Sequence, residues 1–292
     1  MIAPITYRFL SYLSLQMRQR ILGEQQSTVW QRFEYNCAVN LLRWSRWVTS
    51  DLYARGITSR QEQASTLICK LLHKGDTYID VGASIGKTTC YASYRVGQTG
   101  KVFSFEPLPS TAEELRTLVK AMRLKNVTIV QSAVAAQPGV RTIYERVYQP
   151  ASSLFESFNV NLGPVVARHE CTVVTLNNFV ETRGLDKVDM IKIDVEGAEF
   201  DVLRGATELV VPKCIQFPPL LIIEINAREE RVSLLGYTVS EMIEWLYERD
   251  YVCAIPRGRK LVALRNEEQL RETDIDMVCW VPQARPDLFA AM

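Results

Sequence analysis

The segment Tyr78-Ile79-Asp80-Val81-Gly82-Ala83-Ser84-Ile85-Gly86-Lys87-Thr88 constrains the fold more than any other part of the chain. A short apolar run ends in a carboxylate, passes two glycines and enters a helix-forming stretch. Gly82 can turn without steric cost, and Gly86 admits the close approach of a ligand or a neighbouring backbone. A helix that starts near Gly86 aims its free N–H groups back at the turn. In doubly wound sheets, nucleotide-like ligands bind at such a crevice, beyond the carboxyl end of the first strand. The spacing separates the candidates. The dinucleotide pattern G-x-G-x-x-G fails, because Ser84 stands where its second glycine belongs. The phosphate loop G-x-x-x-x-G-K-[ST] is one residue short between Gly82 and Gly86, although Lys87-Thr88 follows in place. Asp80 at the strand end would also repel phosphate. A purely structural strand-to-helix turn is the plain alternative.

A chain of 292 residues, 47% hydrophobic, can hold one large α/β domain plus an appendage. The formal net charge of +1 and the absence of a basic block argue against a nucleic-acid partner. The seven cysteines (37, 69, 90, 171, 214, 253 and 279) are odd in number and show no C-x-x-C spacing. That favours reduced thiols and a cytoplasmic location over a disulfide framework. Arg8, Arg18 and Arg20 interrupt the apolar residues near the start, so neither a cleaved signal peptide nor stable membrane insertion is expected.

Residues 1–70 carry apolar positions at helical spacing and read as an N-terminal helical extension, with Trp30, Trp44 and Trp47 among them. A helix over about Gln61–His73 leads to Lys74-Gly75-Asp76, a helix stop followed by a turn, and the main domain spans 71–292. From Thr77 the rhythm becomes strand, helix, strand, helix, the sign of a parallel sheet. Strand Lys101–Phe105 ends in Glu106-Pro107, and a carboxylate at that tip can accept both hydroxyls of a ribose. The next helix is expected over Ser110–Arg123, with Ser110 as N-cap and Glu113 completing a capping box. Residues 140–175 read as a substrate-side insert. Strands Val140–Val147 and Cys171–Val174 flank a polar loop that offers Ser153 and His169, and such loops commonly carry recognition. His169 can act as a base near neutral pH, although a lone His at a strand start is usually structural. Strand Val188–Ile193 presents Asp194 and Glu196 at its tip. They serve chemistry there, or simply cap the following helix at Ala198–Arg204. Lys192 on this otherwise apolar strand needs a carboxylate partner or a place near the strand end. Strand Leu220–Ile225 carries Glu224, a costly position for an acid unless it has a partner or a job. A helix over Val239–Arg249 and strands Tyr251–Ile255, Lys260–Leu264 and Asp276–Val281 close the chain.

Two blocks carry a resemblance to a known family. Residues 74–86, including Asp80-Val81-Gly82-Ala83-Ser84-Ile85-Gly86, with Gly100–Pro107, form the first. Asp189-Met190-Ile191-Lys192-Ile193-Asp194-Val195-Glu196-Gly197-Ala198-Glu199 and the residues through Ala206 form the second. In this order they resemble the FkbM type of class I S-adenosylmethionine (SAM) methyltransferases, over roughly residues 70 to 282. The resemblance implies a doubly wound, seven-stranded, mostly parallel Rossmann-like sheet, closed by an antiparallel hairpin at its edge. It implies SAM as cofactor, held by Asp80, Gly82, Ala83, Ser84, Gly86 and Glu106, with Ser132 and Ala133 beside the adenine and Asp194 near the amino group. A carboxylate at position 80 suits a ligand that carries a sulfonium and an ammonium. The implied reaction is O-methylation of a sugar, polysaccharide or polyketide-type hydroxyl. Its catalytic candidates are Asp194, Glu196, Glu224 and His169. A divalent metal bridging Asp194, Glu196 and Glu224 is an alternative to a protein base. An NAD- or ATP-dependent enzyme and a non-catalytic SAM-binding scaffold are the rival readings. The family often has Leu-Asp-Asp where this chain has Leu176-Asn177-Asn178, which removes two charges. The N-terminal helices would shape the acceptor pocket or form a contact in a homo-oligomer.

Overall fold

In a computed structural model, the described residues are 63–147, 152–157, 163–211, 218–225, 236–257, 260–264, 267–270 and 275–289. The three N-terminal tryptophans and most of the expected extension lie outside them. Helix α1 (Gln63–Leu71) is followed by β1 (Thr77–Val81), α2 (Lys87–Val96), β2 (Lys101–Phe105), α3 (Pro109–Ala121) and β3 (Val127–Val130). The insert comprises β4 (Ala133–Val134), β5 (Gly139–Arg146) and β6 (Val165–Val174). Then come α4 (Leu176–Thr182), β7 (Met190–Ile193), α5 (Glu199–Arg204), β8 (Leu220–Ile225), α6 (Val239–Tyr247), β9 (Val252–Arg257), β10 (Lys260–Ala263), β11 (Ile275–Trp280) and α7 (Pro286–Phe289). None of the described helices is long and apolar enough to cross a membrane.

The main sheet has eight strands in the order β10-β9-β11-β8-β7-β1-β2-β3. Strands β3, β2, β1, β7 and β8 pair in parallel, β11 runs antiparallel between β8 and β9, and β10 pairs antiparallel to β9. The strand order reverses at β1, which places a ligand crevice over the tips of β1 and β7. The count exceeds by one the seven that the resemblance implies, and the expected strand at Lys260–Leu264 is present as Lys260–Ala263, paired antiparallel to β9 at the sheet edge.

Alternation along each strand decides which face a side chain covers. Ile79, Val81, Phe103, Phe105, Ile191 and Ile193 point into one core layer with residues of α4, α5 and α6. Tyr78, Val102, Met190, Leu220, Ile222, Val278 and Trp280 point into the opposite layer beneath α1 and α2. Burial on both faces is what a parallel sheet requires. Phe179 of α4 packs edge-on against Phe103 and Phe105, with ring centroids 5.3 and 4.8 Å away. Each such pair adds about 0.5–1.5 kcal/mol beyond area burial.

Three local differences from the sequence reading have clear causes. Helix α3 begins at Pro109, with Leu108 in the capping position and no side-chain cap. Proline suits the first helical position, since its fixed φ is helical and its missing N–H is one that goes unpaired there. Ser110 is therefore already inside the helix, and its hydroxyl donates to Glu145 instead. Helix α4 was not anticipated. Its signal is Thr175, whose Oγ1 accepts the Asn178 N–H at 3.2 Å. Asn177, where the family often has Asp, locks α4 to the end of α5. It donates to Thr207, and its carbonyl oxygen accepts the Glu208 N–H. Finally, β6 starts at Val165, well before Cys171, and pairs along the whole of β5 as a long hairpin.

Candidate active site

A cavity of about 280 Å³ opens over the carboxyl ends of β1, β2, β7 and β8 and under the insert. Its floor is Val81, Gly82, Ser84, Glu106, Asp194, Val195, Glu196 and Glu224, and its far wall includes Ser132, Ala133, Ile143, Ser152, Ser153 and Leu154. The size stands near the lower end of the about 300–1,000 Å³ usual for ligand sites.

Gly82 lets the chain leaving β1 pass close to the backbone that leaves its parallel neighbour β7. Its φ is +80°, and a Cβ there would lie 1.7 Å from the carbonyl oxygen of Asp194. Gly86 has φ +95°, and a Cβ would meet Leu115 of α3 at 2.4 Å. The close approach anticipated at Gly86 is thus helix packing, and Gly86 does not line the cavity. Ala83 is likewise buried at this turn, 2% exposed and outside the lining.

Asp80 is fully buried and faces away from the cavity, toward the layer beneath α2. Its Oδ2 accepts the hydroxyls of Thr88 at 2.9 Å and Thr89 at 2.7 Å, and Thr89 is 2.8 Å from Ser104 Oγ. Here the carboxylate ties the start of α2 to β1. Glu106 does reach the cavity. The Ser84 and Leu108 N–H groups each donate to one of its oxygens at 2.9 Å. Burial pushes its carboxyl up to about 7 despite these two donors. Ser132 and Ala133 line the wall beside it.

The strand register sets Asp194 beside Glu224, and Glu224 beside Asp276, in one row across β7, β8 and β11. Asp194 and Glu224 also share a hydrogen bond. Lys192 Nζ, from the buried row below, pairs with Asp194 Oδ2 at 2.7 Å. Lys192 is 4% exposed, so the partner it needed is found. Burial raises the Asp194 carboxyl, but the Lys192 ammonium and the hydrogen bonds from Glu224 and Lys192 together outweigh it and hold Asp194 below the usual carboxylate range. The charge of Asp194, then burial, pushes Glu224 far up, so that Glu224 keeps its proton at neutral pH. Burial likewise lifts Asp276, to about 6.

Glu196 has left-handed backbone, φ 54°. Its carboxylate, with those of Asp194 and Glu224, forms a trio whose oxygens lie within 4.8 Å of one another. No side chain caps α5 at Ala198, and another acid holds the loop that precedes it. Glu199, 5% exposed, accepts the N–H groups of Gly197 at 3.0 Å and Val195 at 3.3 Å, and Tyr237 OH donates to it at 3.2 Å. Glu199 was not singled out from the sequence, although an acid in the first turn of a helix just after Gly197-Ala198 is the expected signal. With the loop held by Glu199, Glu196 is left facing the cavity. His169 lies on the insert hairpin, its Nε2 2.7 Å from Glu145 Oε2, and is not among the cavity residues.

The trio could hold a divalent cation, but two of its three carboxyl groups are already matched. Lys192 neutralises Asp194, and Glu224 carries a proton. A metal would have to displace both, which EDTA treatment tests. Turnover in metal-free buffer with EDTA is expected to equal the untreated rate, and a loss restored by Mg²⁺ or Mn²⁺ would refute the matched-charge account.

Strand order 3-2-1 on one side of the switch point, with a glycine turn at the β1 tip and acids at the β2 and β7 tips, defines a Rossmann-like class I methyltransferase architecture. The sequence model of the methyltransferase FkbM domain matches residues 80–253. The chain belongs to that family, and family membership assigns SAM as its cofactor. Among curated relatives, 31-O-demethyl-FK506 methyltransferase FkbM of Streptomyces tacrolimicus is 28% identical over 200 residues, 58% of this chain and 75% of the relative. Methyltransferase 1 of Beauveria bassiana is 31% identical over 149 residues, 44% of this chain and 57% of the relative. Hexuronic acid methyltransferase AglP of Haloferax volcanii is 25% identical over 170 residues, 57% of this chain and 63% of the relative. The residues present fit the cofactor. Gly82 and Ser84 line the cavity beside the buried carboxylate of Glu106, an acid that suits the hydroxyls of a ribose-bearing ligand.

Proposed function

We propose that the protein is an O-methyltransferase that places a methyl group on a hydroxyl of a sugar, polysaccharide or polyketide-type acceptor. The single observation that carries this is the Glu106–Gly82–Glu196 arrangement around one cavity, with a ribose-type acid at one end and a base-type acid at the other. The relatives named for FK506 and hexuronic acid methylation support acceptors of this chemistry.

When bound, SAM supplies an electrophilic methyl group. The protein's part is to hold the acceptor in line with it, where effective molarity provides much of the rate. Glu106 accepts the ribose hydroxyls while Ser84 and Leu108 fix its orientation. An alcohol is a poor nucleophile, so a side chain must take its proton. Glu224 holds its own proton, and Asp194 is stabilised as an anion by Lys192, which makes it a weak base. Glu196 is therefore the base, and Asp194 orients the acceptor hydroxyl or the cofactor's ammonium. The surrounding wall of Ser152, Ser153, Ile143 and Leu154 mixes hydroxyls and apolar groups, which suits a polyol or a partly apolar product.

Calorimetric titration with S-adenosylhomocysteine, beside NAD and ATP, tests the cofactor half of this reading. Micromolar binding of S-adenosylhomocysteine alone is expected, and preferential binding of NAD or ATP would overturn it. The same titration has a pH signature. With the Glu106 carboxyl at about 7, its ionised fraction rises about tenfold between pH 6 and pH 8. The ionised form accepts ribose hydroxyls on both oxygens, so affinity should rise by up to about tenfold over that interval. Glu106→Gln should bind more weakly and lose the pH dependence. Labelled methyl transfer to hydroxylated sugars and polyketides tests the other half, and cofactor binding with no transfer to any of them would favour a non-catalytic scaffold.

A further inference from the structure

The insert and the β7 tip are far apart in sequence, yet one side chain ties them together at the cavity. The Ser153 hydroxyl donates to the carbonyl oxygen of Glu196 at 2.7 Å, across 43 residues of chain. Ser153 is 2% exposed, and its own place is fixed from two sides. Its backbone forms an isolated antiparallel bridge with Tyr144 of β5. Its Oγ also accepts the Phe155 N–H at 3.1 Å. The carbonyl it holds belongs to a residue with left-handed backbone, φ 54°, followed by Gly197 at φ 106°. A non-glycine residue adopts this conformation only when its surroundings enforce it. On the other side of the same turn, Glu199 receives the Val195 and Gly197 N–H groups. Glu196 is thereby held at its carbonyl by the insert and at its neighbours' N–H groups by α5. Its side chain has one direction left, into the cavity beside Asp194 and Glu224.

We propose that Ser153 is a positioning residue for methyl transfer, whose hydrogen bond to the Glu196 carbonyl holds the Glu196–Gly197 turn in the conformation that aims the Glu196 carboxylate at the acceptor. The role of Glu196 as base rests on the function proposed above; the clamp itself does not. Ser153 acts through the turn and transfers no proton. The acceptor-side insert and the proton-accepting residue become one mechanical unit, so that the wall that receives the acceptor also sets where its proton goes.

The test compares Ser153→Ala and Ser153→Thr with the wild type by two independent measurements. The first is hydrogen exchange of the ligand-free protein, followed by mass spectrometry over peptides that contain residues 195–197. Losing one clamp hydrogen bond should speed exchange at the Val195 and Gly197 amides by about fivefold in Ser153→Ala, with exchange in β1 and β2 unchanged. Threonine retains the hydroxyl and should restore protection. The second is steady-state kinetics. Ser153→Ala should lower kcat by about ten- to hundredfold through misplacement of the base, while KM for SAM and the Kd of S-adenosylhomocysteine stay within about twofold. In a Glu196→Gln background the same change should add little, since both act on one step. Unaltered exchange over 195–197 would overturn the clamp, and an undiminished loss in the Glu196→Gln background would overturn its link to the base. Altered exchange in a wild-type protein that transfers no methyl group would instead count against the proposed function and leave the clamp standing.

Discussion

Glu196→Gln is expected to lower turnover by about 10²–10⁴-fold, the range that a positioned general base supplies. The amide is nearly the same size and keeps an oxygen toward the cavity, but it cannot take a proton. The Ser153 bond is to the Glu196 carbonyl and the Glu199 bonds are to neighbouring N–H groups, so none of them depends on the exchanged side chain. Affinity for S-adenosylhomocysteine should therefore stay within about twofold, and the defect should appear in kcat. Asp194→Asn gives the contrast. It leaves Lys192 without its anion and is expected to weaken both stability and cofactor binding. Single-turnover transfer to a hydroxyl acceptor separates the two, and Glu196→Gln with wild-type turnover would remove Glu196 from the mechanism.

The second large effect concerns stability. Lys192→Met fills a buried position with an apolar chain of similar length but leaves Asp194 without its cation. Breaking a buried pair from one side costs about 3–5 kcal/mol. Asp194 faces the cavity with 31% of its side chain open, so water relieves part of this and the lower figure, about 3 kcal/mol, is the expectation. The sign with pH follows from the shifts. In the wild type, Asp194 lies below its ordinary value, so its contribution is present above about pH 4 and disappears as pH falls through the lowered value. Lys192 is raised above its ordinary value, because the attraction of Asp194 and Asp80 exceeds the cost of burial. Its contribution is therefore intact throughout the neutral range. Without the ammonium, burial would act against the charged form of Asp194 with only the Glu224 hydrogen bond opposing it, and the variant would lose stability as pH rises. Urea unfolding should thus show a wider gap between variant and wild type at pH 8 than at pH 5. A gap below about 1 kcal/mol, or one that ignores pH, would show that Lys192 is not the counter-ion the site relies on.

Much of this site can be read from the sequence, because strand tips announce themselves. Asp194, Glu196, Glu224 and Glu106 each stand where an apolar run stops, and each faces the crevice. Lys192 could be assigned a carboxylate partner from the cost of burying it alone. What could not be read was direction across the sheet. Asp80 stands at an equally good tip, but strand alternation turns it under α2, where Thr88 and Thr89 await it. Its alternation partner Tyr78 already pointed that way, so the signal was present but carried less weight than the motif. Gly82 and Gly86 look alike in sequence. One clears a neighbouring strand's backbone and the other a leucine of α3, a distinction that depends on contacts between segments. The Glu199 and Ser153 attachments likewise join residues whose partners are set by the folded chain. The edge strand at Lys260 was legible in the sequence, and only the count of seven implied by the resemblance fell one short.

The insert is fastened to the catalytic side of the domain by Ser153 on the Glu196 carbonyl and by Arg141 on Asp201 of α5 at 2.8 Å. Both fastenings lie on the β7–α5 side, while Ile143, Ser152 and Leu154 present the wall itself. Such a layout separates what can vary from what cannot. Lineages could exchange the wall residues to admit new molecules, generation after generation, while the two fastenings keep every new wall in register with the same Glu196 carboxylate.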